Sequence, residues 1–145
     1  MRTLAIDLGS RRIGLALSDE GGKFATPLQV LEVNSAAQGI EPIAAIVRDE
    51  GVQQVVVGLP LNMDDSLGPP AREAMEWGKR FAEQCTVPVI FVDERLSSFA
   101  AEQDLISRKK MGEKLTRKRK KQQLDALAAA GFLQAFLDGK LKPWQ

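Results

Sequence analysis

The sequence predicts one α/β domain over 1–145, built on a mixed five-stranded sheet. Three antiparallel strands come first, parallel strands follow, and helices cover both faces. Three observations carry this expectation. Apolar runs over 3–8 and 13–18 flank a turn at Gly9, and a third run over 29–33 follows with no helical spacing between them. Beyond residue 35, helical spacings alternate with short continuous apolar runs, as in strands joined by crossover helices. A chain of 145 residues with 44% apolar and 27% charged content suits one globular domain. Such a domain buries roughly two-thirds of its unfolded surface.

Each element has a local reason. The first two strands, 3–8 and 13–18, are rich in Ile, Leu and Ala. Gly21-Gly22 marks the turn before the third strand, which is expected to start beyond Pro27. Over 36–50, Ile40, Ile43, Ala44, Ile46 and Val47 recur at helical spacing. Asn34 or Ser35 offers the N-cap and Gly51 the stop. Residues 54–57 form a β-branched run, as expected of a strand buried on both faces. Prolines open a helix over 70–85, and 88–92 is another buried strand. Ser97 or Ser98 caps a helix over 99–106, and a last helix over 124–137 stops at Gly139. Cys85, the single cysteine, reads as a small hydrophobe at a helix end.

Composition narrows the chemistry. The chain has no histidine, which excludes imidazole zinc sites and Ser-His or Cys-His catalysis, and one cysteine makes no internal disulfide. Any general base or metal ligand is therefore Asp or Glu, and oxygen donors select hard cations such as Mg²⁺ or Mn²⁺. No apolar run reaches the ~20 residues that span a bilayer. The first residues lack a signal-peptide form, so a cytoplasmic location is expected. A net charge of +1 hides a strong asymmetry. Between residues 107 and 124 stand nine cations (Arg108, Lys109, Lys110, Lys114, Arg117, Lys118, Arg119, Lys120 and Lys121) against Glu113 alone. Such a basic segment in an otherwise acidic body is the footprint of a polyanion partner, and a solvated face is the plainer alternative.

Three acidic positions stand within or at the ends of apolar elements. Asp7 lies near the end of the first strand, Asp93-Glu94 closes the run 88–92, and Asp125 interrupts the apolar stripe of the last helix. A carboxylate in an apolar strand is costly to bury unless something pairs with it. In open α/β sheets, ligands collect outside the carboxyl ends of the strands, where these acids would meet. Clustered carboxylates raise one another's pKa unless a divalent cation relieves the repulsion, and two such cations support in-line phosphodiester hydrolysis. Plainer roles stay open: a hairpin edge for Asp7, strand-end solvation or pairing with Arg95 for Asp93 and Glu94, and an N-cap or a salt bridge to neighbouring lysines for Asp125. The loop over 58–68, with Asn62, Asp64 and Ser66, suits a phosphate near a helix N-terminus or an ordinary turn.

Four stretches in order resemble the YqgF/RuvX family, a branch of the RNase H-like (RuvC-like) nucleases. They are Ile6-Asp7-Leu8-Gly9-Ser10-Arg11-Arg12-Ile13-Gly14, Val57-Gly58-Leu59-Pro60-Leu61-Asn62-Met63-Asp64, Val92-Asp93-Glu94-Arg95-Leu96-Ser97-Ser98, and Lys120-Lys121 with Asp125-Ala126-Leu127-Ala128-Ala129. The resemblance spans the chain. It implies an RNase H-like fold and a metal-dependent nuclease in the bacterial cytoplasm, acting on the 5′ end of precursor 16S rRNA or on Holliday junctions. It also implies that Asp7 and Asp125 are metal ligands. RuvC resolvases carry a further acid where this chain has Gly58-Leu59-Pro60, so the third ligand is expected from Glu94, with Asp93 as the alternative. The family loop reads Asp-Gly-Ser where this chain has Asp64-Asp65-Ser66.

The leading expectation is thus a nuclease with Asp7, Glu94 and Asp125 on Mg²⁺ or Mn²⁺. Arg12, Arg95, Asn62 and the basic residues of 108–121 would hold nucleic-acid phosphates, which position a substrate rather than specify it. A monomer and a homodimer both fit. A non-catalytic nucleic-acid-binding domain is the competing class. A sugar-kinase-like phosphotransferase needs a second domain, for which 145 residues leave no room.

Overall fold

The computed structural model describes residues 1–62, 64, 66–93, 117–141 and 143–144, with the backbone alone described over 117–124. Its strands are β1 (Thr3–Leu8), β2 (Arg12–Ser18), β3 (Ala25–Glu32), β4 (Gln54–Leu59) and β5 (Val89–Asp93). A 3-10 turn, Ala36–Gly39, leads into α1 (Ile40–Asp49). Helix α2 is Pro69–Glu83, and the helix Arg117–Leu137 is here called α3. The strands form one sheet in the order β3-β2-β1-β4-β5. β1 pairs antiparallel with β2 and β2 with β3, whereas β1–β4 and β4–β5 are parallel. This is the expected mixed sheet.

Strand alternation divides the interior into two layers. Leu4, Ile6, Ile13, Leu15, Val55 and Val57 point to one side, where they pack with Ile43, Val47, Trp77 and Phe81 of α1 and α2. Ala5, Ala16, Val56 and Val92 point to the other, against Ala129, Phe132 and Leu133 of α3. Val55, Val56 and Val57 are all fully buried, as their continuous β-branched run predicts. Each fully buried Leu, Ile or Phe contributes about 1.5–3 kcal/mol. The two layers differ in grain: large side chains under α1 and α2, small ones under α3, so α3 lies close to the sheet.

Three boundaries differ from the sequence reading by more than two residues. β3 starts at Ala25 and includes Pro27. It is an edge strand with an irregular register opposite Leu15/Ala16, where a missing N–H costs no ladder bond. The helix expected over 36–50 is split, its first turn being 3-10. Helix α3 starts at Arg117 rather than 124. The Lys/Arg/Gln run has high helix propensity but no apolar period to betray it. The helix expected over 99–106 lies outside the described residues. Cys85 is half-buried and packs on the core, as read.

Candidate active site

The site is built around Gly14. Asp7 and Gly14 are directly opposed in the β1–β2 register. Opposed residues of an antiparallel pair project to the same face. A Cβ on Gly14 would collide with the main-chain carbonyl of Asp125, so Gly14 faces α3 at contact distance. Asp7 therefore shares the α3 side of the sheet with Asp125, from the opposite end of the chain. Glycine within an apolar strand is the sequence signal for this close approach.

Arg12, two residues before Gly14, is on the same face. Its Nε donates to Asp125 Oδ2 at 2.8 Å, and both side chains are about one-third exposed (36% and 29%). Asp7 is half-buried and also has a partner. Gly9 turns the chain between Asp7 and Arg12, and a Cβ there would meet the Arg12 carbonyl. The turn is fastened to the end of β3 by Val33 N–H donating to the Arg11 carbonyl at 2.9 Å.

α3 enters from beyond the sheet. Its Asp125 lies at the rim beside Arg12, whereas its Gln134 accepts a bond from Ala25 N at 2.9 Å and donates to the Lys23 carbonyl, at the far end. The backbone of 117–124 thus continues past the rim by about 12 Å at 1.5 Å per residue. Arg117, Lys118, Arg119, Lys120 and Lys121 belong to that overhang.

Other expected residues are placed as follows. Asp93 ends β5 opposite Leu59 and alternates with Val92, which faces α3. It falls with Phe91 on the α1/α2 side, across the sheet from Asp7. Asn62 is exposed and folded into its own loop, its amide donating to Ser66 Oγ at 3.0 Å and its N–H to the Ser66 carbonyl. Asp64 accepts from Ser66 N at 3.0 Å, so this loop is closed by its own polar side chains. Glu94, Arg95, Arg108, Lys109, Lys110 and Lys114 lie outside the described residues.

Among the described residues no group of three His, Cys, Asp or Glu side chains is placed to hold a metal ion. Asp7 and Asp125 supply two hard oxygen donors on one face, and a guanidinium already compensates one of them. That donor chemistry fits a divalent cation. No helix among the described residues is long and apolar enough to cross a membrane.

Comparison with known proteins agrees with this architecture. The family model described as "RuvX: Holliday junction resolvase" matches residues 1–139. A Geobacillus thermodenitrificans protein named "Putative pre-16S rRNA nuclease" is 39% identical over 142 residues, covering 97% of this chain and 99% of that one. An Anaeromyxobacter protein of the same name is 44% identical over 138 residues, covering 95% and 97%. The fold is shared with Thermus thermophilus RuvC at a TM-score of 0.59 and 19% identity, over 99% of this chain and 100% of that one. With a family model matched along nearly its whole length, and relatives of equal span, the chain belongs to the RuvX family.

Proposed function

We propose that this chain is a divalent-metal-dependent nuclease of structured nucleic acid that trims the 5′ end of precursor 16S rRNA in the cytoplasm. The observation that carries the proposal is the convergence of Asp7 and Asp125 on either side of Gly14. Relatives of equal length bear a pre-16S rRNA nuclease name, which favours that substrate. Asp7, Asp125 and Glu94 would hold Mg²⁺ or Mn²⁺. Glu94 takes the third place because Asp93 lies on the α1/α2 side.

Bound there, divalent cations supply charge neutralisation at the phosphate and a water of lowered pKa. The chain's own residues do the rest. Arg12 fixes the Asp125 carboxylate through a charge-assisted bond. The basic start of α3, whose backbone lies beyond the carboxylate rim, holds phosphates of the strand, and Arg95 and the cations of 108–114 are assigned the same role from the sequence. Water adds to phosphorus in line, and the opposite ester oxygen leaves as the bond to it breaks.

The experiment is a cleavage panel of folded precursor rRNA, a four-way DNA junction and single strands, each with Mg²⁺ and Mn²⁺. Wild type is expected to cleave the rRNA near its mature 5′ end. Asp7→Asn is expected to abolish cleavage while binding and Tm stay close to wild type. Cleavage retained by D7N removes Asp7 from the mechanism. The family description favours a second reading, a junction resolvase. Cleavage confined to the DNA junction would establish it in place of the first.

A further inference from the structure

β1 and β4 are adjacent and parallel, but the chain leaves them in opposite directions. β1 turns into β2, whereas β4 runs through its loop into α2 and on to β5. Connections that diverge this way open a crevice outside the carboxyl ends of the strands, where open α/β sheets bind ligands. Here the crevice is a groove of about 520 Å³, within the range of small-molecule sites. Leu8, Ala36, Pro60 and Pro70 give it apolar walls, and Asn34 and Glu73 bring polar groups to it. Gly9, Ser10 and Arg11 complete its lining, and Leu8 directly follows Asp7 in the chain, so the groove opens at the same rim as the carboxylate, on its α1/α2 side.

The groove is held by structure outside it. Trp77 is 5% exposed, and its indole N–H donates to the Ala36 carbonyl at 2.7 Å. Its ring stacks on Phe81 at 5.2 Å and 5°. The opposite wall is tied by the bond from Val33 N–H to the Arg11 carbonyl. Neither wall has to form when a ligand arrives.

We propose that this groove binds one unpaired nucleobase of the substrate, that of the nucleotide next to the scissile phosphate. The proposal rests on the nuclease reading and specifies its substrate: a strand whose cleavage point has a free base. Apolar walls, two of them proline rings, suit the flat faces of a base. Its edge carries both donors and acceptors, and the Asn34 amide and the Glu73 carboxylate answer both kinds. The Glu73 charge disfavours a phosphate at the α2 wall, whereas Arg11 favours one at the turn, the wall that follows Asp7 in the chain. Base toward α2, phosphate toward the turn is the orientation this charge pattern selects. Extruding a paired base costs a few kcal/mol, so single-stranded ends, bulges and loops enter at least cost.

The test uses the full chain and the four nucleoside 5′-monophosphates, titrated without metal and followed by amide NMR. Saturable shifts are expected at Leu8, Ser35, Ala36 and Glu73. They are expected to vanish in Ser35→Phe, which fills the groove from an exposed position, and to persist in D7N. Asn34→Ala is the second variant, expected to weaken binding and change the order of preference among the four bases. In cleavage assays, an abasic nucleotide next to the scissile phosphate is expected to slow wild type by about tenfold or more. S35F is expected to cut the base-bearing substrate about tenfold more slowly, with no further loss when the base is removed. Shifts confined to α3, or unchanged binding in both variants, overturn the groove. Groove shifts in a protein that cleaves none of the panel substrates would support the groove and sink the nuclease reading, so the two failures are distinguishable.

Discussion

Arg12 shows how much a single side chain settles at this site. Its bond to Asp125 joins the start of β2 to a helix more than a hundred residues later in the chain. Both partners are about one-third exposed, so the pair is screened and contributes only about 0–1 kcal/mol to stability. Its consequence is geometric: one carboxylate oxygen is fixed and the other is left for a further partner. Arg12→Ala is therefore expected to change Tm little while lowering cleavage roughly ten- to a hundredfold, the usual effect of removing a residue that orients a metal-binding carboxylate. Arg12→Lys keeps the charge but loses the Nε donor and is expected to recover only part of that rate. An equal loss in Tm and in activity would show that Arg12 serves the fold alone. The acids themselves were legible in the sequence, because carboxylates within apolar runs need a reason. Their meeting at Gly14 was not, since it depends on how closely α3 approaches β2.

That approach belongs to the scale of elements. Gly14, Ala5 and Ala16 give β1 and β2 a shallow surface toward α3, and the α3 side of the core is correspondingly small-grained. Gly14→Ala inserts a methyl group onto the Asp125 carbonyl and pushes the helix outward at the site. A destabilisation of about 1–3 kcal/mol is expected from denaturant melts. A larger relative loss in Mn²⁺-dependent cleavage should accompany it, because the displaced turn carries Asp125. The β2–β3 connection makes a different demand. Asp19 accepts from the main-chain N–H groups of Phe24 and Lys23, which favour the carboxylate and lower its pKa. A folded pKa below the unfolded one gives stability that is present above the ordinary carboxylate range and lost as pH falls through the folded value. The Tm advantage of wild type over Asp19→Asn is thus expected above the ordinary carboxylate range and should close as pH falls through the lowered folded value. A constant difference across that range would mean the charge is irrelevant to the turn. Strand interiors and the order of elements were readable because apolar period and β-branching act locally. The start of β3 was hidden by Pro27, which only an edge position tolerates, and the start of α3 by a charged run with no apolar period.

At the scale of the whole molecule, the charge asymmetry acquires a direction. The sheet sets Asp7 and Asp125 at the rim, and α3 runs from beyond that rim toward its opposite edge. The cations at 117–121 therefore lie past the carboxylates, on the side from which a polyanion would reach them. On the proposed reading, a body otherwise rich in acid would repel the same polyanion elsewhere and concentrate binding at one end. Replacing the five cations Arg117, Lys118, Arg119, Lys120 and Lys121 by glutamine keeps a good helix former at each position while removing the charge. Each cation that neutralises a phosphate contributes about 0.7–0.9 to the slope of log K against log salt. If most of the five touch phosphates, that slope flattens by about 2–4 in the substituted protein, as fluorescence anisotropy with precursor rRNA across a salt series would read. Tm should stay near the wild-type value, because glutamine keeps a good helix former at each position. An unchanged slope would place the phosphate contacts elsewhere on the molecule. A flattened slope with cleavage of a short single strand preserved would separate capture of the polyanion from chemistry at the rim.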